Sequence, residues 1–192
     1  TTSKNEKSNQ NLPIEIKAKS AVLMDVTTGE VLMEYNADEK LFPASVTKIM
    51  TMLLVMEAIR DGKISLTDIV VCSENASKKG GSQIWIEPNE EMTVNDLLKA
   101  TAIGSANDAA TLLGEYVSGS EQAFIDLMNK RADELGMENT HFVNPHGLHD
   151  DNHYSTAYDM ALLARYALKN DTIREICSKE KITVTFGNPP YQ

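Results

Sequence analysis

The pattern of apolar and polar residues changes its period along the chain. Apolar residues alternate loosely from Ser20 to Val26 and again from Val31 to Tyr35, with the turn-forming string Thr27-Thr28-Gly29-Glu30 between them. Alternation interrupted by a turn is typical of a β-hairpin. From about Ser45 to Arg60 the pattern becomes helical and largely apolar, and Asp61-Gly62 marks its end.

Capping residues and stop signals predict further helices. The strings Thr93–Asp96 and Thr156–Asp159 have the form of capping boxes, which open helices. Two more helices are predicted, from near Ala106 to before Gly119 and from about Ser120 to Leu135. The prediction also includes a polar loop over residues 137–154 and a short helix at Thr172–Cys177. Two short strands are predicted, at Ile69–Cys72 and Ile182–Phe186. A hairpin, a run of helices and a final strand indicate an α+β fold.

Length and charge narrow the class of protein. A chain of 192 residues suits one domain, and a formal net charge of −10 argues against binding to nucleic acid, which needs an excess of Lys and Arg. Residues 1–13 are polar and are predicted to be a disordered linker, whereas residues 14–192 are predicted to form the domain. Cys72 and Cys177 belong to no Cys-x-x-Cys pair, which argues against a structural zinc site or a redox motif. They could pair with each other if the protein is exported and they lie close together, but we expect two free, buried thiols.

One candidate nucleophile stands at the start of the long apolar helix. A serine hydroxyl needs a neighbouring base, and Ser45-Val-Thr-Lys48 places an amine on the same helical face as a hydroxyl. Lys48 can accept a proton only if burial or nearby positive charge lowers its pKa. The same spacing occurs at Ser178 and Lys181, where charged neighbours predict a solvated lysine. Taken alone, Ser45 and Lys48 are more simply an N-cap serine and a surface lysine.

A second candidate cluster is Ser105-Ala106-Asn107, which falls between two apolar helical patterns. A short buried turn at this place can project polar groups. Taken alone, Ser105 and Asn107 are more simply helix-capping residues, and Asp108 is a charge at a helix N-terminus.

The order and spacing of these motifs resemble those of the penicillin-binding D-alanyl-D-alanine carboxypeptidases, serine peptidases of low molecular mass. The resemblance covers about residues 15–186 and includes four further strings, Ala21–Glu30, Thr93–Leu98, Phe142–Leu148 and Tyr154–Ala161. It implies a β-lactamase/transpeptidase-like fold in which an N-terminal hairpin accompanies a helical subdomain.

The resemblance also implies a role for each candidate residue. Ser45 would attack the carbonyl between two D-alanines of a peptidoglycan stem peptide, and Lys48 would accept its proton. Ser105 would relay a proton to the leaving amine, while Asn107 and Ala106 would bind the substrate. Water would release the acyl-enzyme, whereas β-lactams would leave a slowly hydrolysed adduct. No cofactor and no metal ion is implied, and the family acts outside the cytoplasmic membrane.

Two features depart from the family pattern. The middle motif is usually Ser-Gly-Asn, and the Ala106 found here is a small change if its backbone φ is negative. The third motif, Lys-Thr-Gly on a later strand, does not occur in the sequence. We therefore expect this chain to lack the C-terminal strands of the sheet, which would leave an exposed edge that a second chain could complete.

Three other functions fit parts of the sequence. A serine β-lactamase shares Ser-x-x-Lys, but class A enzymes need a glutamate after Ser-x-Asn, and no convincing Glu-x-x-x-Asn pattern follows Ser105. A catalytically inactive peptidoglycan-binding fragment would fit a chain without Lys-Thr-Gly. A metallohydrolase would use histidines, which cluster in one loop without the i, i+4 pairing of helical zinc sites, at His141, His146, His149 and His153.

Overall fold

The computed structural model describes residues 16–184, so the linker predicted for residues 1–13 lies outside the described residues. Strands β1 (Ala21–Met24) and β2 (Val31–Tyr35) come first, and a 3-10 turn over Ala44–Thr47 then leads into helix α1 (Lys48–Arg60). The later elements are β3 (Ile69–Val71), α2 (Glu74–Ser77), β4 (Glu91–Thr93), α3 (Val94–Ile103), α4 (Asn107–Ser118), α5 (Glu121–Glu134), α6 (Ala157–Ala167) and α7 (Asp171–Cys177). The α+β composition is confirmed. None of the helices within residues 16–184 combines the length and apolar character needed to cross a bilayer.

The predicted hairpin is present. Strands β1 and β2 pair in antiparallel register, with Ala21 opposite Tyr35. The Asp25 carboxylate closes the turn, because its Oδ1 accepts hydrogen bonds from the backbone N–H groups of two turn residues at 2.9 and 2.7 Å. Helix α6 holds the hairpin from outside through Arg165, whose Nη2 donates to the carbonyl of Thr27 at 2.9 Å.

The strand predicted at Ile69–Cys72 is also present, as β3, and it pairs with β4 in a second two-stranded ladder. The strand predicted at Ile182–Phe186 is wrong for its described part, since residues 182–184 have no regular structure. Its last two residues lie outside the described range. Alternation alone does not form a strand, because backbone groups also need a pairing partner, and within residues 16–184 only the two ladders form sheets.

Helix α1 lies between the two parts of the core because it is apolar around its whole circumference. Neither Met50 nor Val55 exposes any surface. One side of α1 packs with α3 and α4 in a cluster that includes Leu97 and Leu113, and the other side packs with α5 and α6 around Phe124. Packing on both sides fixes the N-terminus of α1, where Ser45 and Lys48 lie, relative to the start of α4.

The predicted caps at Thr93 and Thr156 are present, since each hydroxyl oxygen accepts a hydrogen bond from the backbone N–H three residues later, at 3.0 and 3.1 Å. Ser120 caps α5 in the same way at 3.2 Å. Both cysteines are free, as predicted. Cys72 is buried, but the burial expected for Cys177 is wrong, since this residue ends α7 at the surface.

Candidate active site

Ser45 lies in the 3-10 turn that precedes α1, and it is exposed. The preceding residue, Ala44, has a φ of +47°, a conformation that is uncommon for residues other than glycine. Gly147 packs directly on this turn: a Cβ atom there would lie 1.8 Å from the Ala44 carbonyl oxygen. Only glycine at position 147 allows the two segments to approach so closely, so the turn that carries Ser45 is shaped by a distant part of the chain.

Lys48, the first residue of α1, is only 3% exposed. Its Nζ lies 2.7 Å from Asn107 Oδ1, 2.7 Å from the carbonyl oxygen of His146 and 3.2 Å from Ser45 Oγ. A neutral amine has two N–H donors and one lone pair. Because Asn107 Oδ1 and the His146 carbonyl can only accept, the two donors point to them and the lone pair is left for the Ser45 hydroxyl.

The burial of Lys48 changes its ionisation. Burial lowers the pKa of Lys48 to about 8, and the negative charge of Asp108 opposes part of this change. About a tenth of such a lysine is neutral at pH 7, far more than for a solvated lysine. Lys48 is therefore desolvated, which is one of the two conditions under which the sequence analysis allowed it to act as a base.

Ser105 and Ala106 form the turn between α3 and α4. Ser105 has a φ of +53°, and its Oγ lies 2.9 Å from Ser45 Oγ. Positive φ at both Ala44 and Ser105 places strained backbone on the two sides of one hydroxyl pair, a feature that clusters at functional sites. Ala106 has a φ of −68°, so its methyl group is compatible with the backbone, and it has no exposed surface. Ala106 therefore packs in the core cluster that includes Leu97 and Leu113.

Asn107 connects Lys48 to a glycine-rich loop over residues 78–82. Its Oδ1 accepts from Lys48, and its Nδ2 donates to the carbonyl oxygen of Gly80 at 2.6 Å. Gly81 has a φ of +80°, and a Cβ atom there would lie 2.7 Å from Asn107 Nδ2. The loop thus closes on Asn107 through contacts that need glycine, and the amide orientation of Asn107 is fixed from both ends.

Asp108 was predicted only as a charge at a helix N-terminus, but its carboxylate also binds a distant segment of backbone. It is fully buried, and its Oδ2 accepts hydrogen bonds from the backbone N–H groups of Ile84 and Ile86 at 3.1 and 3.4 Å. The carboxylate therefore anchors the segment that follows the glycine-rich loop. An acidic residue inside the apolar string Ala-Asn-Asp-Ala-Ala was the sequence signal for this burial.

The predicted polar loop packs against the start of α1. Besides the His146 carbonyl bound to Lys48, the Pro145 carbonyl accepts from Thr51 Oγ1 at 2.6 Å. His153 Nε2 lies 2.8 Å from Thr47 Oγ1, while its Nδ1 accepts from the Val143 N–H at 3.1 Å. These contacts make the loop one wall of the site.

The histidines of this loop are not arranged as metal ligands. Within residues 16–184, no group of three or more His, Cys, Asp or Glu side chains could hold a metal ion. Burial lowers the pKa of both His146 and His153 to about 4, so these rings are neutral at neutral pH. In each ring, Nδ1 accepts from a backbone N–H, which leaves Nε2 protonated.

Comparison with known proteins agrees with this arrangement. The sequence profile of the D-alanyl-D-alanine carboxypeptidase family matches residues 4–191. The D-alanyl-D-alanine carboxypeptidase DacF of Bacillus subtilis (strain 168) is 55% identical over 157 residues, which cover 82% of this chain and 40% of that relative. The chain thus spans less than half the length of this relative.

Solved structures show the same fold. The D-alanyl-D-alanine carboxypeptidase DacD from Francisella tularensis has a TM-score of 0.83 at 39% identity, with 91% of this chain and 43% of that chain covered. A penicillin-binding protein from Listeria monocytogenes in its ampicillin-bound form has a TM-score of 0.78 at 32% identity, covering 87% of this chain and 68% of that one. The predicted β-lactamase/transpeptidase-like fold is confirmed. The chain belongs to the D-alanyl-D-alanine carboxypeptidase family of serine peptidases.

Proposed function

We propose that this protein hydrolyses the terminal D-Ala-D-Ala bond of peptidoglycan stem peptides through an acyl-enzyme on Ser45. Family membership supports the reaction class. The observation that carries the residue assignment is the set of contacts around Lys48, a buried amine whose two other partners can only accept hydrogen bonds. This set leaves the lone pair of neutral Lys48 facing the Ser45 hydroxyl, as a general base requires.

Acylation begins when Lys48 takes the proton of Ser45 Oγ as that oxygen bonds to the carbonyl carbon of the scissile peptide. The ammonium that forms keeps its two short hydrogen bonds, to Asn107 Oδ1 and the His146 carbonyl, which offset the cost of a buried charge. The C–N bond then breaks, and the leaving D-alanine amine needs a proton. Ser105 Oγ lies 2.9 Å from Ser45 Oγ, and we expect it to relay the proton held by Lys48 to that amine.

Deacylation runs the same transfers in reverse with water as the nucleophile. Water attacks the ester carbon and gives its proton to neutral Lys48. The ester C–O bond then breaks, and Lys48 returns that proton to Ser45 Oγ, which restores the hydroxyl. The products are the shortened stem peptide and D-alanine. Asn107 Nδ2, together with the backbone around Ala106, would hold the substrate amide against the glycine-rich loop, and no cofactor enters the sequence of steps.

The proposal extends to β-lactams and to location. A structural relative was solved with ampicillin bound, and β-lactams resemble the D-Ala-D-Ala end. We therefore expect Ser45 to open the β-lactam ring and to form a long-lived ester, and nothing in the comparisons favours a β-lactamase or an inactive peptidoglycan-binding fragment. Since the stem-peptide substrate lies outside the cytoplasmic membrane, we propose that the protein acts there.

Intact mass spectrometry after incubation with benzylpenicillin tests the assignment. We expect one penicilloyl adduct on the wild-type chain and none on Ser45→Ala. The matched control is Ser178→Ala, which removes the serine of the other Ser-x-x-Lys string and should leave the adduct unchanged. An adduct that persists on Ser45→Ala would place the nucleophile elsewhere, and no adduct on the wild-type chain would mean that this polypeptide does not carry the reaction.

We also propose that a second chain completes the sheet. Within residues 16–184 each ladder pairs only two strands, and a two-stranded sheet is marginally stable on its own. Light scattering during size-exclusion chromatography should then detect association. A monodisperse monomer with full carboxypeptidase turnover would contradict this part of the proposal.

A further inference from the structure

We propose that Glu121 is a positioning residue for the pair formed by Lys48 and Asn107, on which it acts through two loops without touching either side chain. Glu121 opens helix α5, away from the motifs that suggested the site. The inference rests on the function proposed above, because it concerns how the base of that reaction is held. Its two arms reach the two backbone carbonyls that orient the pair.

The first arm reaches the glycine-rich loop. Glu121 Oε2 accepts hydrogen bonds from Lys79 Nζ and Asn75 Nδ2, both at 2.7 Å. Lys79 directly precedes Gly80, whose carbonyl oxygen accepts from Asn107 Nδ2 at 2.6 Å. A Gly-Gly pair has more backbone freedom than any other dipeptide, so its carbonyl stays in place only if the flanking residue is tethered.

The second arm reaches the loop that binds Lys48. His146 Nε2 lies 4.0 Å from Glu121 Oε1, and the His146 carbonyl accepts from Lys48 Nζ at 2.7 Å. Because His146 Nδ1 accepts from the Leu148 N–H, the protonated Nε2 faces the carboxylate. The His146 side chain is 3% exposed, so its orientation and that of its backbone are coupled by packing.

This cluster is much more buried than the ion pair between Lys130 and Glu134 on the same helix. The Glu121 and Lys79 side chains are 19% and 18% exposed, whereas those of Lys130 and Glu134 are 73% and 47% exposed. Exposed pairs contribute little, but breaking a largely buried pair leaves a charge without its partner. Burial raises the pKa of Glu121, but hydrogen bonds from Lys79 and Asn75 outweigh it and hold that pKa below the ordinary value, so the carboxylate stays charged.

The variant Glu121→Gln tests the inference, since it keeps the side-chain size and removes the charge. We expect benzylpenicillin acylation at high pH to slow about tenfold, because a small displacement of a base is costly. We also expect the midpoint of the pH-rate profile to move below that of the wild type, since an ammonium that loses its acceptors is less stable than the neutral amine. Glu134→Gln, a charge removal on the same helix, is the matched control and should change neither quantity.

The other charged or titratable groups around the cluster are kept in this variant. They are Asp108 beside Lys48, then Lys79, Lys48 and His153 beside His146, and Glu115, whose Oε1 accepts from Asn75 Nδ2 at 2.7 Å. A Glu121 with only a structural role would lower the amount of folded, reactive protein without moving the midpoint. An unmoved midpoint would therefore overturn the inference, whether or not the amount of reactive protein changes.

Amide hydrogen exchange separates this inference from the proposed function, because it needs no reaction at Ser45. The Asn107 N–H is bound to the Ser82 carbonyl and reports on the first arm, and the Leu148 N–H reports on the second. Both should exchange faster in Glu121→Gln than in the wild type or Glu134→Gln, and equal exchange would contradict the inference even if the wild type forms no adduct. If Glu121→Gln does not fold, Lys79→Met serves instead. In that variant the Asn107 N–H should exchange faster than in the wild type, and the exchange rate of the Leu148 N–H should be unchanged.

Discussion

Two Ser-x-x-Lys strings occur in this chain, and their surroundings differ completely. Lys48 is buried with three polar partners, one of them the serine of its own string. Lys181 is exposed beyond the end of α7, and within the described residues no hydrogen bond joins it to Ser178. Ser178 instead donates to the carbonyl of Glu175 at 2.8 Å, as a residue that ends a helix often does.

The difference shows that spacing supplies proximity only where the helix continues. Ser45 precedes α1 and Lys48 begins it, so the two side chains share a face, whereas Ser178 follows the last residue of α7. Proximity is also not sufficient for chemistry. Burial beneath α4 and two loops lowers the pKa of Lys48, whereas Lys181 is exposed in the described part of the chain.

Removing the amine of Lys48 should affect acylation far more than removing that of Lys181. Lys48→Met keeps the apolar stem and removes the amine, so benzylpenicillin acylation should slow by at least about a thousandfold. Lys181→Met, the same substitution in the other string, should leave the rate unchanged. Rapid-quench mass spectrometry of both variants measures this. Equal rates for wild type and Lys48→Met would show that the base is another group.

The burial of Lys48 should also make the stability of the folded protein depend on pH. The pKa of Lys48 is about 8 in the folded protein and 10.5 in the unfolded chain, so the unfolded state binds more protons between these values. Stability should therefore rise as the pH increases from about 8 to 10.5, by on the order of 2 kcal/mol, and be lost again as the pH falls through 8.

Denaturant unfolding of wild type and Lys48→Met across this pH range isolates the contribution. The wild type should gain stability relative to Lys48→Met with rising pH, because the variant has no ammonium to deprotonate. Lys181→Met should follow the wild type. Parallel curves for wild type and Lys48→Met would show that Lys48 is solvated.

The substitution of Ala106, in the turn between α3 and α4, should have a smaller effect than those at Lys48. Ala106→Gly restores the usual middle motif of the family, and it should lower stability by about 1 kcal/mol through a more flexible unfolded chain and a lost buried methyl group. Acylation should change little, since Ala106 already has a negative φ. Thermal unfolding measures the stability change. A gain in stability would mean that the methyl group strains the turn.

Much of the fold could be predicted because its signals are local. The hairpin, the long helix and the caps at Thr93 and Thr156 depend on neighbours within a few residues, and all of them are present. Strand β4 was missed because its three residues form a strand only by pairing with β3. The wrong strand at residues 182–184 is the opposite case, a local pattern with no pairing partner in the described chain.

The candidate site was predictable only in its side chains. Motifs pointed to Ser45, Lys48, Ser105 and Asn107, and the structure brings these four together. The carbonyls of Gly80 and His146 could not be found in this way, because every residue has a carbonyl and its direction depends on the folded loop. Glu121 could not be found from the sequence either, because its partners Lys79 and His146 lie on two segments that are distant from it in sequence.

The contact between Lys48 and the His146 carbonyl joins residues 98 positions apart in the chain. Such a contact pays its loop-closure entropy late, after local helices have formed. A partly folded chain that contains only the hairpin and α1 would thus carry Ser45 beside a solvated, protonated lysine. Reactivity should consequently appear in the last step of folding, so that a β-lactam added during refolding would label only molecules that have completed it.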